Sequence, residues 1–215
     1  MAVLMALLDE VRWFPGAERL VALARAEMPQ QKSESAAFAT LVSLRAHAIA
    51  VESQDDTASA GSSPATASAA IGELSGGRLT AVTAEGTWTA KALNAVFAGV
   101  PELPDLSLLA FVDTSGFGAP DTPDRALRDY LEGGLPPFWS SRWRARHFVI
   151  LGGTLTGPGG TLVAIVDGYR PVGRDGVHLQ LLDRVVAALR GLLLVVPSAD
   201  APTARALVAR AGLTP

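Results

Sequence analysis

The sequence predicts an α+β fold, with helices packed on a mainly antiparallel sheet supplied by the C-terminal half. Two observations carry that expectation. Apolar residues recur at helical spacing through the opening third of the chain. Strand-like runs then concentrate in the second half, where Arg146–Gly153 and Thr161–Tyr169 flank the turn signal Gly157-Pro158-Gly159-Gly160. At 215 residues, 49% hydrophobic and 18% charged, the chain has enough apolar content to bury one core, so residues 1–215 are read as a single domain.

Taken in order, Leu4, Leu7, Leu8 and Val11 have helical spacing, and Trp13-Phe14-Pro15-Gly16 ends that first helix. A second helix runs from Ala17 to about Met28, where Pro29 stops it. The polar connector Gln30 to Ser35 offers Ser33 and Ser35 as N-caps for a helix over Ala36–His47. Phe38, Leu41, Val42 and Leu44 make that helix apolar around most of its circumference, which predicts a central, buried position. Residues 52–66, rich in Ser, Ala, Thr and Asp, read as a flexible loop leading to a helix over Ala65–Leu74. A strand over Arg78–Thr83, a helix over Thr87–Ala98 capped by Thr87 or Thr89, and a buried strand over Leu106–Val112 follow. Asp121–Glu132 is a short helix ended by Gly133-Gly134. After the hairpin come a helix over His178–Arg190, a strand over Leu192–Val196 and a helix over Pro202–Ala211.

Composition excludes several function classes. Net charge is −3 and the cations are almost all Arg, with Lys only at 32 and 91, so no basic stripe for nucleic acid is present. Met1–Leu8 lacks a basic start and a cleavage site, and no run approaches the roughly 18 apolar residues of a membrane span; a soluble cytoplasmic protein is expected. There is no Cys, which removes disulfides, thiolate metal sites and thiol catalysis from the chain as given. Three dispersed His give no zinc spacing, and no metal or cofactor is expected.

The hairpin holds the candidate chemistry. His147 opens its first strand and Asp167 closes its second, 20 residues on. Antiparallel pairing sets the start of one strand beside the end of the next, bringing an imidazole to a carboxylate as a general base meets its orienting group. The plainer alternative is a polar cap on a sheet edge and a turn-forming Asp before Gly168-Tyr169.

A helix whose start lies at the site, a later HFVILGG run (His147–Gly153) and a following Asp167 resemble the papain-like cysteine peptidases, most closely the compact bacterial C39-like branch. The resemblance implies a papain-like fold acting on a peptide or protein substrate as a peptidase, amidase or peptide cyclase, for example in peptide natural-product biosynthesis. It also implies a Gln six residues before the nucleophilic Cys; here Gln30 stands six residues before Ala36. On that pattern Ala36 occupies the nucleophile's position at a helix N-terminus, where the macrodipole favours thiolate and oxyanion. Gln30 would donate to the oxyanion, His147 would move the proton and Asp167 would hold its tautomer. Ala36-Ala37-Phe38 stands where Cys-Gly-Pro is usual. An engineered Cys→Ala change, a natural loss that leaves a peptide-binding protein, and a shifted register with Ser35 as a hydroxyl nucleophile all fit, with Ser33 a more remote option.

Trp139, Trp143 and Tyr169 are candidates for the wall of a substrate cleft, or else core anchors. Gly157–Gly160 is not a phosphate loop, because no Gly-Lys-Ser/Thr follows. His47 reads as a satisfied core or boundary histidine, and His178 is expected near a helix start after the turn-rich Gly173–Gly176 segment.

Overall fold

The computed structural model describes residues 6–30, 34–169 and 172–215. Among these residues seven strands form one antiparallel sheet: β1 (Arg12–Trp13), β2 (Leu79–Ala84), β3 (Ser107–Asp113), β4 (Arg146–Gly157), β5 (Gly160–Val166), β6 (Val177–Leu181) and β7 (Leu189–Pro197). Their spatial order is β2-β7-β3-β4-β5-β6, with β1 added to β4. Helices α1 (Ala17–Glu27), α2 (Ser35–Ala46) and α3 (Pro64–Leu74) pack on one face, while α4 (Ala90–Gly99), α6 (Leu182–Ala188) and α7 (Ala201–Arg210) cover the other. α5 (Asp124–Leu131) lies on β5 and β6 with Leu7, Leu162 and Leu179. The expected α+β class holds, and β1 and β2 extend the sheet into the N-terminal half.

Strand alternation sorts the core. Phe148, Ile150 and Val166 face α1–α3, and Val149, Leu151 and Ile165 face α4, α6 and α7. Phe111 and Phe148 meet across β3 and β4 with ring centroids 5.0 Å apart. α2 is the buried helix that its sequence predicts, with every residue from Ser35 to Leu44 buried. The caps are local: Thr89 accepts from Ala92 N at 3.0 Å, and Ser63 forms a capping box with Thr66. The glycines of HFVILGG have a packing reason. β4 bulges between Leu151 and Gly153, and β1 comes so close that a Cβ on Gly153 would lie 2.6 Å from Arg12 O.

Several elements differ from expectation. Leu7–Glu10 is a 3-10 helix that gives way to β1 instead of one longer helix, while the remainder of the expected helix, Met1–Met5, lies outside the described residues, as does Ser33. The N-cap position of α2 is Glu34, without a side-chain bond, and Ser35 is already helical. Residues 52–66 hold a 3-10 helix, Asp55–Ala60, and the start of α3; the buried Thr57 hydroxyl donates to Ala37 O at 2.9 Å. The largest difference is at His178–Arg190, where strand β6 precedes α6. Val177, Leu179 and Leu181 all point to one side of β6, a period of two that outweighs helix propensity.

Candidate active site

The site forms where β4 and β5 part. Their ladder ends at the pair Ile150↔Val166. Beyond it, the two ends of the α1–α2 connection take over the backbone groups. Gln30 N donates to Gly168 O at 2.8 Å, and Phe148 N donates to Ser35 Oγ at 3.0 Å. The start of α2 is thereby fixed in the plane of the sheet, one residue from His147.

His147 and Asp167 are both buried, with Nε2 and Oδ1 3.1 Å apart. The same Oδ1 accepts from Tyr169 N at 3.1 Å, so the carboxylate is held from two sides. With Nε2–H donating to it, Nδ1 is the basic atom of the ring. Trp143 packs against the imidazole at 4.6 Å and Tyr169 lies nearly parallel to it at 5.8 Å. These two rings also line a cleft of about 950 Å³ with Trp139, Pro120 and Val172. The imidazole therefore lies beneath the aromatic wall of that cleft.

Of the other expected site residues, Gln30 and Ser35 reach the strand ends that carry this pair, whereas Ala36 lies on the Phe148 side of the sheet. Gln30 is buried, and its side chain packs so closely on Gly168 that a Cβ there would collide with it. Ala36 is buried in the α1–α3 core, which it shares with Phe148. Ser35 anchors the turn through its Oγ. Trp139 lines the cleft, stacked on Phe138 at 4.9 Å.

One residue of this site was not expected from the sequence. His178 sits on β6 opposite Ile165, on the same face as His147 and Asp167, and is buried. Gln180 donates to its Nδ1 at 3.0 Å while clasping Gly118 through N–H and C=O, at 2.8 and 3.1 Å. Burial pushes the His178 pKa down to about 4, with Asp167 pulling it up and His147 pushing it further down. The sequence signal was the alternation Val177-His178-Leu179-Gln180-Leu181, which puts both polar residues on one side of a strand. His47, by contrast, is a partly exposed cap at the end of α2, bonded to Ser43 O and Asp105 O.

Among the described residues no group of His and acidic side chains has the makings of a metal site, and no helix is long and apolar enough to cross a membrane. No curated protein matches the chain. A family model matches residues 14–60 and 50–215, which together leave out only the first 13 residues. The chain thus belongs to the family of unknown function DUF6885.

Proposed function

We propose that this chain is a papain-like protein that binds peptide at a site laid out for acyl transfer, with Ala36 in the nucleophile's position. The observation that supports this most is the meeting of three elements: the buried His147–Asp167 pair, Gln30 against Gly168, and the first turn of α2 tied to Phe148. In that arrangement Nδ1 of His147 serves as base and Asp167 fixes the ring. The amide of Gln30 and the N–H groups opening α2 stabilise an oxyanion. Ala36 brings a methyl group and no lone pair, so the chain as it stands holds a peptide without forming an acyl intermediate. A Cys in its place would supply the thiol for peptidase, amidase or cyclase chemistry. The Ser35 hydroxyl is already engaged by Phe148 N, which favours anchoring over nucleophilic attack.

The test is Ala36→Cys, followed by its rate of alkylation with iodoacetamide at pH 6. A thiol activated by His147 and the helix reacts about tenfold or more faster than the same thiol in the Ala36→Cys, His147→Ala double variant. Equal rates, at the level of an ordinary cysteine, would reduce His147 and Asp167 to a tie across the hairpin.

A further inference from the structure

The segment Ser141–Ala145, leading into β4, has two unlike edges. On one, Ala145 O accepts from Thr114 N at 3.0 Å, Ala145 N donates to Thr114 Oγ1 at 2.9 Å, and Trp143 O accepts from Thr114 Oγ1 at 3.1 Å. On the other, the backbone N–H and C=O groups of Arg142 and Arg144 have no partner among the described residues. That edge continues the side of β4 on which Phe148 N meets Ser35. Exposure alternates as in a strand: Trp143 and Ala145 are half-buried, Arg142, Arg144 and Arg146 exposed.

The charges alternate with it. Arg146 faces Asp113 across the ladder, whereas Arg142 and Arg144 form no ion pair among the described residues. Three cations and no acid in residues 140–146 is a local excess in a chain of net charge −3. Among the described residues Asp121 is the one acid lining the adjoining cleft, which Arg142 also lines. Trp139, which lines it, is 42% exposed, and Phe138, stacked on that ring, is 79% exposed.

Resting on the peptide-binding reading above, we propose that this open edge takes up an extended acidic peptide as an added strand. Its carboxylates meet Arg142 and Arg144, and its intervening bulky apolar side chains fill the cleft walled by Trp139, Trp143 and Tyr169. An added strand alternates its side chains as the segment does, so Glu falls on the arginine side and Leu or Phe on the aromatic side. The backbone bonds give affinity without sequence preference, and the alternation supplies specificity. A peptide in that place runs past the end of β4, toward His147 and the first turn of α2.

The test uses the unmodified chain and eight-residue synthetic peptides, followed by calorimetry and tryptophan fluorescence at low salt. A peptide alternating Glu with Leu is expected to bind about tenfold more tightly than its Gln–Leu counterpart. The Arg142→Ala, Arg144→Ala double variant should lose that preference and keep its urea midpoint. N-methylation of alternate amides on one peptide edge should abolish binding. Equal affinity for the Glu and Gln peptides, or an unchanged preference in the double variant, overturns the acidic assignment. Binding that survives whichever of the two edges is N-methylated overturns strand addition. Adsorption to phosphatidylserine vesicles with no peptide binding overturns both in favour of a lipid surface. Slow alkylation of Ala36→Cys leaves every one of these outcomes in place, so the catalytic reading falls without the peptide.

Discussion

The β4–β5 hairpin has a closed end and an open end, and the two are built on opposite principles. At the closed end the ladder runs to its last pair, Gly157↔Gly160, and Thr156 and Thr161 join hydroxyls across it at 3.1 Å. Pro158 and Gly159 turn the chain against α5, where Gly159 N donates to Leu131 O at 3.0 Å. A Cβ on Gly159 would strike Tyr130 O, so close docking explains the glycines of this turn. At the open end the ladder stops early. Its backbone groups pass to Gln30 and Ser35, and the polar pair His147 and Asp167 is enclosed there. Backbone pairing that closes on itself yields stability, whereas pairing left open gives room to bring a helix start, an imidazole and a carboxylate together.

The greatest loss is expected from breaking the open end. Asp167→Ala leaves His147 Nε2 and Tyr169 N without their acceptor, at a cost of roughly 3–4 kcal/mol in urea unfolding. Asp167→Asn retains an acceptor and should cost about 1 kcal/mol. A loss for Asp167→Ala no larger than that would mean the pair is not held as described.

Acid should act on the same end next. His178 has its pKa lowered from 6.5 to about 4, mainly by burial. Between those values the unfolded chain binds a proton that the folded chain does not, so folding is weakened as pH falls from about 6.5 towards 4. The loss is on the order of 3 kcal/mol, by comparison of urea midpoints at pH 7 and pH 4. His178→Gln should flatten that part of the profile; an unchanged slope would assign the acid sensitivity to other groups.

Gly159→Ala breaks the closed end instead, costing about 2 kcal/mol through its collision with α5. It should leave affinity for the Glu–Leu peptide intact, and a matching loss of affinity would erase the distinction between the two ends. A smaller effect than these losses belongs to Ser35→Ala, which strips Phe148 N of its acceptor for about 1–2 kcal/mol. Because Ala36 sits on the same turn, this variant combined with Ala36→Cys should also slow alkylation, which sharpens the link between anchoring and chemistry.

Much of the candidate site could be read before folding. A Gly-rich turn between two β-branched runs brings their outer ends together, which sets His147 near Asp167, and a side-chain bond beyond the last ladder pair completes the meeting. The buried helix was legible in Phe38, Leu41, Val42 and Leu44, since an apolar circumference leaves no face for water. β6 was not legible as a strand beside a helical spacing at Leu182, Val185 and Ala188. Nor was the burial of His178 and Gln180, because the loop at Gly118 that satisfies Gln180 is 62 residues away in sequence.

What the amino-acid order determined by itself is local: the turns, the caps at Ser63 and Thr89, the apolar faces, and the reach of His147 to Asp167. These depend on contacts within a turn or a hairpin, whose closure costs little chain entropy. Tertiary structure alone decided that Ser35 bonds Phe148 113 residues away, that Gln30 settles on Gly168, and that aromatic rings roof the imidazole. Such contacts are selected by the packing of the whole core, because each one unsatisfied would leave a buried polar group without its bond.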